Sequence, residues 1–291
     1  MSSENENIIK VLPDFIANQI AAGEVVQRPE SVVKELIENS IDSGATEIAV
    51  VIRNAGKGLI HIIDNGSGMS KVDLEYSIKR HATSKIQTQQ DLEAIKTLGF
   101  RGEALASISS VSHLEIQTRT INDRLGYKLT SEPNKIAKIE EVSCNKGTQI
   151  LVKNLFYNVP ARRKFLKNNL TEFKHISETM IKFVLSNPRL RFTFYDDDNL
   201  IFDLNPSDLR TRVIACLGKV VEDLILPLDY EENDVKIKGF IGKPFLARQN
   251  STNQYLFLNG RTIKNRYLNH AIASCYEELL DEKKYPFYVL F

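Results

Sequence analysis

The residues best suited to chemistry lie on one short stretch, PESVVKELIENSIDSG, at positions 29–44. Read as a helix at about 100° per residue, it brings Glu35, Asn39 and Asp42 to within roughly 60° of one another. A carboxylate and a carboxamide one turn apart can jointly hold a hard cation or a water. The plainer reading is a solvated polar face, because i,i+4 pairs of acids and amides are common. Three later stretches bear on that choice. Asp64 stands at a predicted strand end beside Gly66 and Gly68, in a turn whose backbone can approach a ligand. Thr83, Ser84 and Lys85 lie in RHATSKI, a polar segment without apolar periodicity. The Gly99–Gly102 turn leads into a predicted helix start, where free backbone N–H groups can meet phosphate oxygens.

Together these stretches can supply what nucleoside triphosphate hydrolysis requires. Asn39 offers a neutral oxygen to magnesium, Glu35 can orient or deprotonate water, and Asp64 can accept a hydrogen bond from an exocyclic amine. The two loops can cover the phosphates. Neither a GxxxxGK[ST] loop nor a Gly-x-Gly-x-x-Gly turn is present, so on pattern alone a binding module without catalysis stays open. Glu38 reads as a surface or helix-pairing carboxylate. His81 and His113 have no partner at useful spacing and read as structural.

These residues need elements to hold them. Val32, Val33, Leu36, Ile37 and Ile41 recur at helical spacing and predict the side of the 29–44 helix that presses on a sheet. Pro29 suits its first turn and Gly44 its end. Before it, a helix is predicted around 13–21 with Gly23 ending it. Residues 46–53 and 58–64 predict a hairpin, 70–80 a helix capped by Ser70, and 91–98 a short amphipathic helix. A helix resumes within 99–111, and the span 80–102 reads as a hinged cover. Strands of an antiparallel sheet are predicted at 113–119, 126–131, 136–142 and 148–152, followed by a basic connector at 156–167. A helix at 171–186 carries Phe173, Ile176, Met180, Phe183 and Val184 as core, and a strand pair follows at 191–195 and 200–204. A boundary at 205–208 divides a first domain, 1–205, from a second, 206–291. The second should hold a helix at 208–217, strands near 234–242 and 254–258, and a long helix at 265–280. The final run, YPFYVLF, reads as a strand cut short, and the chain as a fragment of a longer protein.

The 291 residues suffice for two domains, and an apolar share of 42% with 26% charged residues suits a soluble globular protein. A net charge of +1 hides segregation: no acid occurs from Val235 to Tyr276, where Lys236, Lys238, Lys243, Arg248, Arg261, Lys264 and Arg266 lie. Arg162, Arg163, Lys164 and Lys167 form a second basic cluster. Such segments would contact nucleic-acid phosphates without reading bases, the alternative being a solvated basic face. Three scattered cysteines, none in a CxxC pair, argue against a disulfide framework or a thiolate metal site. The polar N-terminus and the lack of any membrane-length apolar run predict a cytoplasmic protein with no membrane partner.

KELIENSIDSGA (34–45), DNGSGM (64–69), RHATSKI (80–86), GFRGEALASISSV (99–111) and FYNVPARRKF (156–165) closely resemble the N-terminal part of the MutL-like DNA mismatch-repair proteins. These belong to the GHKL superfamily, with type II topoisomerase ATPase subunits, ninety-kilodalton heat-shock chaperones and sensor histidine kinases. The resemblance covers essentially the whole chain and is strongest before Lys167. It implies an α+β fold: a GHKL helix layer on a mixed sheet, then a smaller α/β domain with a ribosomal-protein-like fold. Glu35 is then similar to the general base, Asn39 to the magnesium ligand and Asp64 to the adenine-reading carboxylate. Gly68 leaves room for the base, Thr148 joins Asp64 through buried water, and Asp42 contacts the nucleotide pocket. Thr83, Ser84, Gly99, Phe100, Arg101 and Gly102 match the lid around the triphosphate. The family's phosphate-contacting lysine falls on a loop after the strand that here ends at Phe291.

The resemblance implies ATP and magnesium as cofactors and a slow ATPase acting as a conformational switch in mismatch repair. Its expected partners are DNA, bound through backbone contacts, a MutS-like mismatch-recognition protein with other repair proteins, and a second copy joined when ATP binds. Association with the nucleoid during repair goes with that role. The competing function is a nucleotide-shaped DNA clamp and protein-interaction module without significant turnover. A sensor kinase of the same superfamily would not need the water-directing Glu35, and neither it nor a chaperone explains PARRKF.

Overall fold

The computed structural model describes residues 12–85, 97–99, 102–281 and 283–291. The chain divides into two compact units, Met1–Ile176 with Phe194–Asn199, and Ser177–Thr193 with Leu200–Phe291. Helices α1 (Asp14–Val25), α2 (Pro29–Asp42) and α3 (Lys71–Ser77) come first, around strands β1 (Glu47–Arg53) and β2 (Leu59–Asp64). Helix α4 (Ala104–Val111) precedes β3 (His113–Arg119), β4 (Gly126–Ser131), β5 (Lys138–Val142) and β6 (Gly147–Lys153). Helices α5 (Pro160–Phe165) and α6 (Asn169–Ser186) lead to β7 (Arg191–Asp196) and β8 (Asn199–Leu204). These strands form one eight-stranded sheet in the order β5-β4-β3-β6-β2-β1-β7-β8.

Side-chain alternation decides which sheet face is covered. Strand β2 buries Ile60, Ile62 and Asp64, β6 buries Thr148, Ile150 and Val152, and β3 buries Leu114, Ile116 and Thr118. A period of two puts each trio on one face. Helix α2 packs on β2, and α4 packs on α1 and α2, which gives the expected helix layer. Val32, Val33, Leu36 and Ile37 are fully buried, as their spacing predicts. Ile41, expected with them, is only half-buried, and Ser40 takes the inward place. Pro29 opens α2, and Gly44, at φ +74°, follows its end in the left-handed conformation that favours glycine. Ser70 caps α3 as predicted: the Asp73 N–H donates to its hydroxyl at 3.1 Å, and that hydroxyl donates back to the Asp73 carboxylate at 2.7 Å.

Two local expectations are corrected in this unit. Helix α1 does not stop at Gly23 but continues to Val25, with Val26 N–H bonded to the Ala22 carbonyl at 2.8 Å. Gly23 is there for space: a Cβ would lie 2.3 Å from Nη2 of Arg162. The PARRKF segment is a short helix, not an irregular connector, and Pro160 sits in its first turn, where a missing N–H breaks no bond. Of the expected helix at 91–98, residues 91–96 lie outside those described.

The second unit is built on helix α7 (Leu209–Leu217) and a mixed five-stranded sheet. Its strands are β9 (Ile225–Glu232), β10 (Val235–Gly242), β11 (Gln254–Leu258), β12 (Arg261–Thr262) and β13 (Tyr288–Leu290), in the order β12-β11-β13-β10-β9. Strand β13 pairs parallel to β11 and antiparallel to β10, so the YPFYVLF run supplies the central strand, its Tyr288 and Val289 fully buried. Val213, Ile225, Phe240, Phe257 and Phe287 close the core around it. Arg212, also fully buried, is tied by Nη2 to the carbonyls of Pro188, Leu190 and Asn205 at 2.8, 2.7 and 2.8 Å.

Strand β9 was not expected. ILPLDYEE carries a proline and several acids and lies exposed at the sheet edge, so it shows no alternation to read. The final helix, α8 (Arg266–Ser274), is shorter than the predicted 265–280. Beyond it the chain turns inward, burying Tyr276, whose hydroxyl donates to the Gly242 carbonyl at 2.8 Å. No helix among the described residues is long and apolar enough to cross a membrane.

Candidate functional site

The apolar rows of β2, β6 and β3 each reach a polar residue at one end of the sheet. Asp64 pairs with Thr148 in the β2–β6 register, and Thr148 with Thr118 in the β6–β3 register, so the three stand side by side. The Thr118 and Thr148 hydroxyls are 3.1 Å apart, and the Thr118 hydroxyl also donates to the Gly147 carbonyl at 3.0 Å. Met69 N–H donates to that same hydroxyl at 2.9 Å, which joins the DNGSGM turn to β3. Helix α2 reaches the row through Ser40, whose hydroxyl lies 2.9 Å from Oδ2 of Asp64, while Gly66 N–H donates to Oδ1 at 2.9 Å. Burial pushes the Asp64 carboxyl above its ordinary range, against the opposing hydrogen bonds from Gly66, Ser40 and Thr148.

The turn is glycine-rich because chains meet there. Gly68, at φ +71°, leaves no space for a Cβ, which would stand 2.1 Å from the Arg119 carbonyl oxygen. A Cβ at Gly66 would stand 2.0 Å from the Ser43 hydroxyl oxygen. Asn65 is structural, its amide oxygen accepting the N–H groups of Thr46 at 2.8 Å and Glu47 at 3.0 Å at the start of β1.

Beside Ser40, the polar face of α2 carries Glu35, Asn39 and Asp42. Lys85 Nζ lies 2.8 Å from Asn39 Oδ1 and 2.6 Å from Asp42 Oδ2. The Asp42 carboxylate also accepts the N–H groups of Leu98 at 2.8 Å and Gly99 at 3.0 Å. Glu35 contacts Lys34 Nζ at 3.2 Å and Glu38 contacts it at 3.0 Å. Burial holds the Glu38 carboxyl above its ordinary range, although Lys34 pulls the other way. Glu38 is therefore drawn further into the fold than a surface carboxylate, its side chain 13% exposed against 27% for Glu35.

The two loop segments meet at Gly102, where a Cβ would stand 2.6 Å from the Ala82 carbonyl oxygen and 3.1 Å from Thr83 Cβ. Thr83 and Ser84 are exposed, and the Thr83 hydroxyl accepts the Lys85 N–H at 3.1 Å. Phe100 and Arg101, two of the expected lid residues, lie outside the described residues. A polar cleft of about 370 Å³, lined by Gln19, Arg80, Ser109, Ser110, Glu132 and Lys135 among others, contains none of the expected nucleotide residues.

The basic residues divide. Arg163, Lys164 and Lys167 are exposed. Arg162 instead turns inward: its Nη2 donates to the Gln19 carbonyl at 2.6 Å and Nη1 is buried. In the second unit Lys264 and Arg266 are exposed and Arg261 is half-buried. The acid-free run is not basic throughout in space, because β9 brings acids beside β10: Lys238 pairs with Asp229 at 2.8 Å, and Lys236 with Glu231.

Sequence reasoning missed Ser40, Ser43 and Thr118. Ser40 had a signal, as the one hydroxyl in the middle of an apolar helical stripe. Thr118 had none, because its role depends on which strand lies beside which.

Residues 27–158 match the family described as histidine kinase-, DNA gyrase B-, and HSP90-like ATPase, and residues 213–291 match that described as DNA mismatch repair protein, C-terminal domain. The chain is 51% identical over 280 residues to the DNA mismatch repair protein MutL of Chlorobaculum tepidum, covering 96% of this chain and 45% of that protein. It is 47% identical over 285 residues to that of Christiangramia forsetii, covering 98% of this chain and 46% of the relative. The chain thus spans a little under half the length of these relatives. Among solved structures, the Aquifex aeolicus MutL ATPase domain complexed with ADP is similar at a TM-score of 0.68 and 29% identity, over 91% of each chain. The N-terminal domain of a DNA repair protein matches at 0.79 and 25% identity, over 94% of this chain and 86% of that one.

Proposed function

We propose, from the premise that the chain belongs to the MutL family of DNA mismatch-repair proteins, that it binds ATP with magnesium, hydrolyses it slowly and uses the cycle as a conformational switch in repair. The observation that carries this reading is the continuity of the site. The Asp64–Thr148–Thr118 row is bonded to α2 at Ser40, next in sequence to Asn39. Asp64 reads the exocyclic amine of adenine from a buried position, where a hydrogen bond is worth more than in water. Gly68 keeps the turn against β3, and Thr148 holds the neighbouring hydroxyl.

The residues at the other end suit magnesium. Asn39 and Asp42 already direct oxygens at a positive charge, the Lys85 ammonium, at 2.8 and 2.6 Å. Magnesium takes few protein ligands and keeps its waters, so Asn39 suffices beside the phosphates. When bound, the ion neutralises phosphate charge. Glu35, one turn before Asn39, orients the attacking water. Thr83, Ser84, Gly99 and Gly102 offer hydroxyl and backbone donors to the phosphate tail, and the family resemblance adds Phe100 and Arg101.

Arg163, Lys164 and Lys167, with Arg261, Lys264 and Arg266 of the second unit, supply phosphate contacts to DNA without base reading. Arg162 supports them indirectly by anchoring α5 to α1. Nucleotide-dependent pairing with a second copy, and docking of a MutS-like mismatch-recognition protein, belong to the same proposal.

The test is Glu35→Ala. Binding of a fluorescent ATP analogue should persist within about threefold, while turnover falls by about 100-fold or more, the scale of a lost general base. Normal turnover in that variant would remove Glu35 from the water-directing role.

A further inference from the structure

Lys85 makes the shortest polar contact at the magnesium end of the site, 2.6 Å to Asp42 Oδ2. Its side chain is 19% exposed and that of Asp42 only 7%, so the pair is shielded from water on both sides. The Asp42 carboxylate that holds Lys85 also holds Leu98 and Gly99 by their backbone N–H groups. Gly99 lies directly over the cluster: a Cβ there would stand 3.3 Å from Lys85 Nζ, 3.7 Å from Asn39 Oδ1 and 3.8 Å from Asp42 Oδ2. One carboxylate, that of Asp42, thus ties three pieces of chain together: α2, the loop that follows α3, and the 97–99 segment.

An ammonium and a divalent cation compete for the same oxygens, because each needs the lone pairs and each repels the other. We propose that Lys85 is a displaceable internal cation. It occupies the Asn39–Asp42 oxygens in this structure and must leave Asn39 when metal-bound nucleotide enters. This inference rests on the assignment of Asn39 as the metal oxygen. The freed ammonium, beside Thr83 and Ser84, is drawn to the arriving phosphates. Lys85 thereby sets the metal concentration at which the exchange occurs.

The test is a manganese titration followed by electron paramagnetic resonance, with manganese standing for magnesium and saturating ADP present. The unmodified chain is compared with Lys85→Met, Lys85→Arg and Asn39→Ala. Lys85→Met removes the competitor and keeps the aliphatic stem, so half-saturating manganese should fall by about tenfold, the scale of a charge-assisted hydrogen bond. Lys85→Arg keeps the charge and should stay near the unmodified value, which also checks that position 85 tolerates change. Asn39→Ala should raise half-saturating manganese. If Lys85→Met leaves the value unchanged, or raises it as loss of a plain phosphate ligand would, while Asn39→Ala still weakens manganese, the displacement idea is wrong and the metal assignment stands. If Asn39→Ala has no effect, the metal assignment falls and the displacement idea with it.

Discussion

The two ends of the α2 site are held in opposite ways. At the Asp64 end the polar groups are locked by the sheet: Thr148 and Thr118 are fixed by register, Met69 by a backbone bond, and Ser40 by its place inside α2. At the Asn39–Asp42 end the partners are one lysine and the backbone N–H groups of Leu98 and Gly99, all from segments between α3 and α4. A register shift would be needed to disturb the first set, and a rotamer change suffices for the second. The contrast shows a division of labour. On the proposed function, base recognition is prearranged by the sheet, whereas the phosphate and metal end rests on contacts that a ligand can replace.

The contrast can be broken most strongly at Asp64. Asp64→Asn should lower ATP affinity by about 100-fold, because a buried carboxylate is exchanged for an amide that presents a donor as well as an acceptor. The fold should not suffer. Burial raises the Asp64 pKa above its ordinary 3.8, so the group favours the folded state below that pH and this contribution is lost as pH rises through the folded value. At pH 7 Asp64→Asn should therefore unfold at the same denaturant concentration as the unmodified chain or a higher one, with any gain vanishing below pH 4. A lower midpoint at pH 7 would mean that the charge of Asp64 holds the turn together.

Ser40→Ala is the next largest. It removes the donor linking α2 to Asp64 and leaves Oδ2 with one partner fewer, so chemical denaturation should show a loss of about 1–2 kcal/mol. ATP affinity should drop about tenfold in the same variant, with half-saturating metal little changed. Equal damage to both ends would deny the division. The smallest effect is expected for Gly99→Ala, whose new Cβ meets the flexible end of Lys85 at 3.3 Å. Its unfolding free energy should move by less than about 0.5 kcal/mol, while proteolysis near residues 97–99 quickens in the nucleotide-free protein.

Much of the architecture was legible because it follows from short-range pattern. Alternation in residues 59–64 and 147–153 placed two of the site strands, and the helical stripe of 29–42 placed the helix that covers them. The capping box at Ser70 and Asp73 is a four-residue signal and formed as read. What escaped lacked such a pattern. Strand β9 is an exposed edge with a proline, and the length of α8 depends on Tyr276 finding the Gly242 carbonyl. Arg162 looked like an exposed phosphate contact because its neighbours are basic; only the vacancy at Gly23, more than a hundred residues away, turns it inward.

The candidate site divides along the same line. Glu35, Asn39 and Asp42 share a helix face by the 3.6-residue turn alone, and Asp64 ends a strand by its own alternation, so sequence determined both. Tertiary structure decided that Asp64, Thr148 and Thr118 form a row, that Ser40 bridges it to α2, and that Lys85 pairs with Asp42 and donates to Asn39. Local geometry is set by torsions within a few residues. Partners across strands and loops are chosen by packing and charge among segments whose order in space no periodicity records.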